Sequence, residues 1–226
     1  MGSPKAERGR GDNEGPQTEV TLTQSFYMGK YPITQAQWFA VMKSNPSHFS
    51  GDDLPVESVS WRDAQNFLDA LNTHIEDTRQ GPPNMRLPTE AEWEYACRAR
   101  TSTRFSFGDS LSVRDDCDDD GTRSLHMWYC GNSAGKTQPV GQKLANPWGL
   151  HDMHGNVWEW CQDWYAEELP GGSVTDPTGP GSGTYRITRG GAWGDDARNC
   201  RSADRSNYRA PTTASEVIGF RVVTIR

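Results

Sequence analysis

From Thr18 the chain alternates apolar and polar positions, first through Val20-Thr21-Leu22-Thr23 and then through Phe26-Tyr27-Met28. A period of two predicts a hairpin of half-buried strands, closed by Pro32-Ile33-Thr34. The period then lengthens. Thr34 stands three residues ahead of Gln37, a capping box that predicts a helix carrying Trp38, Val41 and Met42. Ser60 has Asp63 at the same offset, ahead of Ala64, Phe67, Leu68 and Leu71 at helical spacing. Thr89 has Glu92, ahead of Trp93, Ala96 and Cys97, and Pro46, Pro55 and Pro88 punctuate the connections. After Arg100 the helical signal fades into short apolar islands, with strands expected at Ile187-Thr188 and over Phe220 to Val223. The pattern predicts one α+β domain over residues 18–226. Residues 1–17 are polar, charged and rich in Gly, which predicts a disordered tail or an appended remnant.

Composition sharpens this picture. Only 34% of the 226 residues are apolar, while 23 Gly, 14 Pro and 9 Trp predict a loop-rich fold pinned by large aromatics. Such loops satisfy their own backbone polar groups through turns, side chains or an ion. A net charge of −7 argues against a general nucleic-acid partner. No apolar run approaches the roughly 20 residues of a membrane span, and no secretory core follows the start, so a cytoplasmic location is the default expectation. Five cysteines without CxxC spacing indicate neither a zinc ribbon nor a disulfide framework, and buried reduced thiols are expected. The run Asp115-Asp116-Cys117-Asp118-Asp119-Asp120 reads as a solvated acidic loop.

Three tracts carry more specific information. Gly149-Leu150-His151-Asp152-Met153-His154-Gly155-Asn156-Val157-Trp158-Glu159-Trp160 is answered by Arg189-Gly190-Gly191-Ala192-Trp193 and by Ile218-Gly219-Phe220-Arg221. Together with Tyr27 to Thr34 and Arg86 to Ala96, they resemble the formylglycine-generating-enzyme (sulfatase-modifying factor) family over about Thr18 to Arg226. The resemblance implies a C-type lectin-like fold with small antiparallel sheets and flanking helices. It also implies a calcium (or magnesium) site formed by the side chains of Asp152 and Glu159 and the carbonyls of Gly155 and Val157, a donor set of oxygens that suits a hard cation. A structural alternative gives those carboxylates backbone amides or an Arg instead. Arg189 and Arg221 are expected to pair with carboxylates such as Glu94 or Glu159. The family's second calcium site needs an insertion after Asn132 that this chain lacks. The motif regions of Cys161 and Cys200 should meet in the fold, which makes these two the best candidates for a contact or a disulfide.

The resemblance fails at the reactive centre. The family's oxidases hold two cysteines just past the Arg-Gly-Gly tripeptide, as thiolate nucleophile and copper ligand. Here the first position is Asp195, only Cys200 remains, and Ala192 stands where the enzymes have Ser. Neither copper nor thiol oxidation is expected, and the enzyme alternative requires a low-pKa cysteine, Cys161, beside Cys200. The pair His151 and His154 is too common a spacing to mark a catalytic metal, and the iron site of sulfoxide-synthase relatives, built partly on an extra helical domain, is not expected here.

The segment from Trp193 to Val217 is instead dense in groups that donate, accept or stack, as in adaptable recognition loops. It resembles the diversified stretch of variable proteins from diversity-generating retroelements, in which the ending around Ile218 to Arg221 stays fixed. That resemblance implies a non-catalytic binder of a protein or other macromolecule, with contacts from Trp193, Gly194, Asp195, Asp196, Asp204, Ser206, Asn207 and Tyr208. A plain polar surface is the competing reading.

Overall fold

The computed structural model describes residues 1–109, 114, 116–119, 121–206 and 208–226. Helices α1 (Gln35–Met42), α2 (Trp61–Thr78) and α3 (Glu90–Arg98) start where the capping signals put them, and a short α4 (Thr122–His126) follows. At α1 the Thr34 hydroxyl accepts the Gln37 amide at 3.2 Å, and Gln37 Oε1 accepts the Thr34 amide at 3.0 Å. Ser60 with Asp63 and Thr89 with Glu92 repeat this exchange, satisfying amides that a helix start leaves without partners.

Among the described residues the strands form three small sheets. β1 (Thr18–Thr21) pairs in parallel with β4 (Gly172–Thr175), and β2 (Phe26–Met28) pairs antiparallel with β8 (Val223–Ile225). β3 (Trp158–Trp164), β5 (Arg186–Arg189), β6 (Tyr208–Arg209) and β7 (Ile218–Gly219) make a four-stranded sheet in the order β6-β5-β3-β7. Both expected N-terminal strands therefore exist, but not as a hairpin. Local alternation marks a strand without naming its partner, and these partners lie near the other end of the chain. The strand expected over Phe220 to Val223 is also divided. The Phe220 and Val222 carbonyls accept the amides of Ile33 and Gly29 at 2.9 and 2.8 Å, which ties the C-terminal tract to the segment preceding α1.

Strand β3 explains the Trp-Glu-Trp pattern. Its period of two sends Trp158 and Trp160 to one face, where they join Trp38, Phe67 and Phe220 in the main core. Glu159 and Cys161 fall on the other face, toward α3. There Glu159 accepts the Trp93 indole N–H at 2.6 Å, and Cys161 packs in the cluster with Trp93 and Ile187. A carboxylate in that position needs charge compensation. Arg221 supplies it through two bonds of 2.7 Å, and Arg189 Nη2 donates to Glu94 Oε2, pairings the sequence led us to expect.

The expected disordered tail is not observed. The Gly2 amide donates to Glu94 Oε1 at 2.9 Å, the Ser3 hydroxyl to Glu14 Oε2 at 2.6 Å, and Arg201 binds Glu14 at 2.5 and 2.9 Å with full burial of both side chains. Polar composition predicts disorder when charges stay solvated. Here they find buried counter-charges on the domain.

Candidate functional site

The turn after β5 positions the residues of interest. Gly191 has φ of +79°, and a Cβ there would lie 2.5 Å from Cys200 Sγ, so only glycine lets the turn cross the buried thiol this closely. Beyond it, the Trp193 amide donates to the Asn156 carbonyl at 3.0 Å, and the Ser133 hydroxyl donates to the Trp193 carbonyl at 2.7 Å. Asn156 in turn bonds the backbone of Gln138 in both directions, at 3.0 Å each way. The Trp193 indole donates to the Glu216 carbonyl at 3.1 Å and meets Phe49 edge-on, with ring centroids 5.6 Å apart. Beside Phe49 opens a cavity of about 570 Å³ lined by His48, Asp52, Asp53, Lys136 and Gln138. Sequence reasoning missed Phe49 and its neighbours. The one available signal was an aromatic pair, His48-Phe49, inside a loop bounded by Pro46 and Pro55.

Asp195 is a latch for this turn. Its Oδ2 accepts the Trp158 indole N–H at 2.6 Å and the Ala192 amide at 2.9 Å, and its burial raises the carboxyl's pKa above the usual range. The segment 193–217 does not present all its residues on one surface. Trp193 contacts the segments leading into β3 and β7, whereas Tyr208 lies on the opposite edge strand β6, stacked on Tyr165 at 3.8 Å. Three strand spacings separate these edges, roughly 14 Å. Asp204 is buried, 3.4 Å from Arg201, and accepts the Ser206 hydroxyl at 2.6 Å; burial raises its pKa to about 6. Gly194 and Ser206 are exposed, Asp196 is half-buried beside Arg198, and Asn207 lies outside the described residues.

The thiols are arranged differently from expectation. Cys117 and Cys130 form a disulfide, while Cys97, Cys161 and Cys200 are free and buried. Cys161 and Cys200 sit in separate core clusters, so they neither pair nor share a site. Cysteine spacing carried no distance information, and Cys117 and Cys130 meet beside Asp196, whose Oδ1 lies 3.9 Å from each sulfur. Asp115 and Asp120 of the acidic run lie outside the described residues. Burial pushes the Cys200 thiol well above its ordinary pKa, and the nearby Asp195 carboxylate adds to the shift. Cys97 lies 3.8 Å from His154 Nε2, but burial drives the thiol up to about 12 and the imidazole down to about 4. Both are neutral near pH 7, so the contact is not an activated thiolate pair. His151 instead bonds the Lys143 carbonyl at 2.8 Å.

Of the expected calcium ligands, Asp152, Gly155 and Val157 lie in the loop ahead of β3, and Glu159 lies on β3 itself. Asp152 is buried with φ of +57°; its Oδ2 accepts the Gly141 amide at 2.7 Å, and its Oδ1 has no hydrogen-bond partner. Burial raises its pKa. Glu159 accepts three bonds, two from Arg221 and one from Trp93, which leaves one of about four lone-pair sites. The orphaned Asp152 oxygen and an all-oxygen donor set fit a hard cation, although Arg221 already supplies the charge compensation that Glu159 needs.

Comparison with known proteins places this geometry. The family model described as "Sulfatase-modifying factor enzyme 1-like domain" matches residues 1–225. The chain is 34% identical to the "Chaperone protein LppX" of Paenibacillus barcinonensis, over 77% of this chain and 71% of that protein. It is 37% identical to a formylglycine-generating enzyme of Streptomyces coelicolor over 74% of this chain, and spans about half (51%) of that enzyme's length. Among solved structures it resembles the Treponema denticola variable protein 1, with a TM-score of 0.80, 31% identity and coverage of 92% of this chain and 86% of that one.

Proposed function

This chain belongs to the sulfatase-modifying factor enzyme 1-like family, and we propose that it is a ligand-binding member without the family's thiol chemistry. The observation that carries this reading is Asp195. Where a reactive thiol would stand, a carboxylate instead fastens the turn to Trp158 and Ala192, and the remaining Cys200 is buried and protonated. Redox turnover needs a second accessible thiol, and among the described residues the other free cysteines, Cys97 and Cys161, are buried and pack in a different core cluster from Cys200. The likeness to a variable protein supports a binding role for the surface around Trp193, with a protein or other macromolecule as ligand.

The geometry refines which positions serve that surface. Trp193 with Phe49 forms the aromatic anchor, and aromatic anchors dominate binding energy when they sit near an interface centre. Gly194 and Asp196 flank it. Ser206 and Tyr208 form a second patch at the β6 edge. Asp195 and Asp204 act as supports rather than contacts. If the segment is diversified by a retroelement, independent isolates will carry substitutions at adenine-containing codons of the exposed positions, beside a reverse-transcriptase gene and a near-copy template repeat. Sequencing the locus tests this. Differences spread evenly over the gene, or concentrated at Asp195 and Asp204, count against it.

A hard divalent cation, calcium or magnesium, is proposed for the loop of Asp152, Gly155, Val157 and Glu159, supported by the orphaned Asp152 Oδ1. A ligand selective for the folded state raises the melting temperature by mass action. Calcium is expected to raise the Tm of the wild type and not that of Asp152→Ala; an unchanged wild-type Tm in millimolar calcium or magnesium refutes the site.

A further inference from the structure

Away from the Trp193 face, an apolar groove of about 740 Å³ runs between α1, α2 and the segment from Gly29 to Ile33. This volume lies within the range of small-molecule sites, about 300–1,000 Å³. Its floor is the main core. Phe67 and Ile33 are buried, and Val41, Leu71 and Met85 pack on the same cluster while remaining half exposed to the groove.

The charges at its rim are one-sided. Lys30, Lys43 and His74 line the groove and are exposed, and no carboxylate lines it, in a chain with 30 acidic and 23 basic residues. The two amines are also held in place. Lys43 occupies the left-handed C-cap of α1, and its Nζ donates to the Ala40 carbonyl at 2.7 Å, so the ammonium folds back over the helix end and keeps further N–H donors. Lys30 Nζ lies 5.3 Å from the centre of the Tyr31 ring. Ala40 and Tyr31 are themselves lining residues, so both contacts hold the amines at the groove.

We propose that this groove binds a single-chain aliphatic carboxylate, with its hydrocarbon along Val41, Phe67, Leu71 and Met85 and its headgroup between Lys30 and Lys43. A neutral apolar ligand would use the floor but not the amines. A second copy of this acidic chain would use both, and is the competing occupant.

The test is binding of decanoate, decanol and butyrate to the whole protein by displacement of a dansylated undecanoic acid. Decanoate is expected to displace the probe, decanol about threefold to tenfold less well, and butyrate not at all, since exposed ion pairs contribute modestly and the chain supplies the rest. Ala70→Trp, at an exposed position on the α2 wall, should abolish probe binding with the Tm unchanged within a few degrees. Lys30→Glu with Lys43→Glu should erase the preference for decanoate while decanol still binds. Equal binding of decanol and decanoate, or undiminished binding by Ala70→Trp, overturns the proposal. So does an absence of decanoate binding together with concentration-dependent self-association that Ala70→Trp abolishes.

Discussion

Replacing Asp195 by Ala probes the latch directly. The carboxylate accepts two hydrogen bonds, from the Trp158 indole at 2.6 Å and the Ala192 amide at 2.9 Å, and both donor residues are buried. A buried donor left without its partner costs about 1–3 kcal/mol. Losing both costs roughly 2–6 kcal/mol, and relief of the buried carboxylate's own desolvation trims this to about 2–4 kcal/mol. For a domain of this size each kcal/mol moves the Tm by about 2–4 °C, so Asp195→Ala is expected to melt about 4–16 °C below wild type. Asp195→Asn keeps an oxygen with two lone pairs and should melt within about 4 °C of wild type.

The same pair of variants carries a pH signature. Burial raises the Asp195 pKa, so the folded state holds its proton more tightly than the unfolded state does. Ionisation therefore costs folding stability as pH rises above the unfolded value of 3.8, until the folded pKa is passed. The advantage of wild type over Asp195→Asn should shrink across that window. Thermal melts followed by Trp fluorescence read both effects. An Asp195→Ala protein that melts within 1 °C of wild type refutes the latch and returns Asp195 to the set of free surface carboxylates.

Arg221→Met strands the buried Glu159 carboxylate and should cost about 3–5 kcal/mol in urea unfolding; a loss below 1 kcal/mol contradicts the paired-core reading. Asp163, raised to about 7 by burial and by the nearby Glu90 carboxylate, stabilises the fold less and less as pH rises from 3.8 to 7. Asp163→Asn can keep the bond from the Glu90 amide without that charge, so it should gain on wild type between pH 4 and 8, and a constant difference in Tm across this range speaks against it. Calcium should raise the wild-type Tm and leave Asp152→Ala unmoved.

What could be read from the sequence was what is local or carried by long motifs. Thr34, Ser60 and Thr89 meet their capping partners three residues on, so every bond that starts those helices was visible in one short window. Arg221 and Arg189 found Glu159 and Glu94 because few carboxylates in the motifs needed a cation. Relations across the chain were not visible. Thr18 pairs opposite Gly172 and Phe26 opposite Ile225, and alternation alone does not choose such partners. The same limit hid the Cys117–Cys130 bond and the burial of Glu14 against Arg201. At the proposed binding face, residue type identified groups able to recognise a ligand but not their roles. Asp195 and Asp204 have the composition of contact residues and the bonding of supports, while Phe49 reaches Trp193 from a loop that carried no motif.

The proposed binding role requires that the turn holding Asp195 and Cys200 perform no thiol oxidation. Incubating the protein with copper, oxygen, a reductant and a cysteine-containing sulfatase peptide, and measuring conversion of the peptide thiol to the aldehyde by mass spectrometry, tests it most directly. No product above a protein-free blank is expected from wild type, and little from Asp195→Cys, because Ala192 still departs from the enzymes. Sustained aldehyde formation by the wild-type protein would contradict the account.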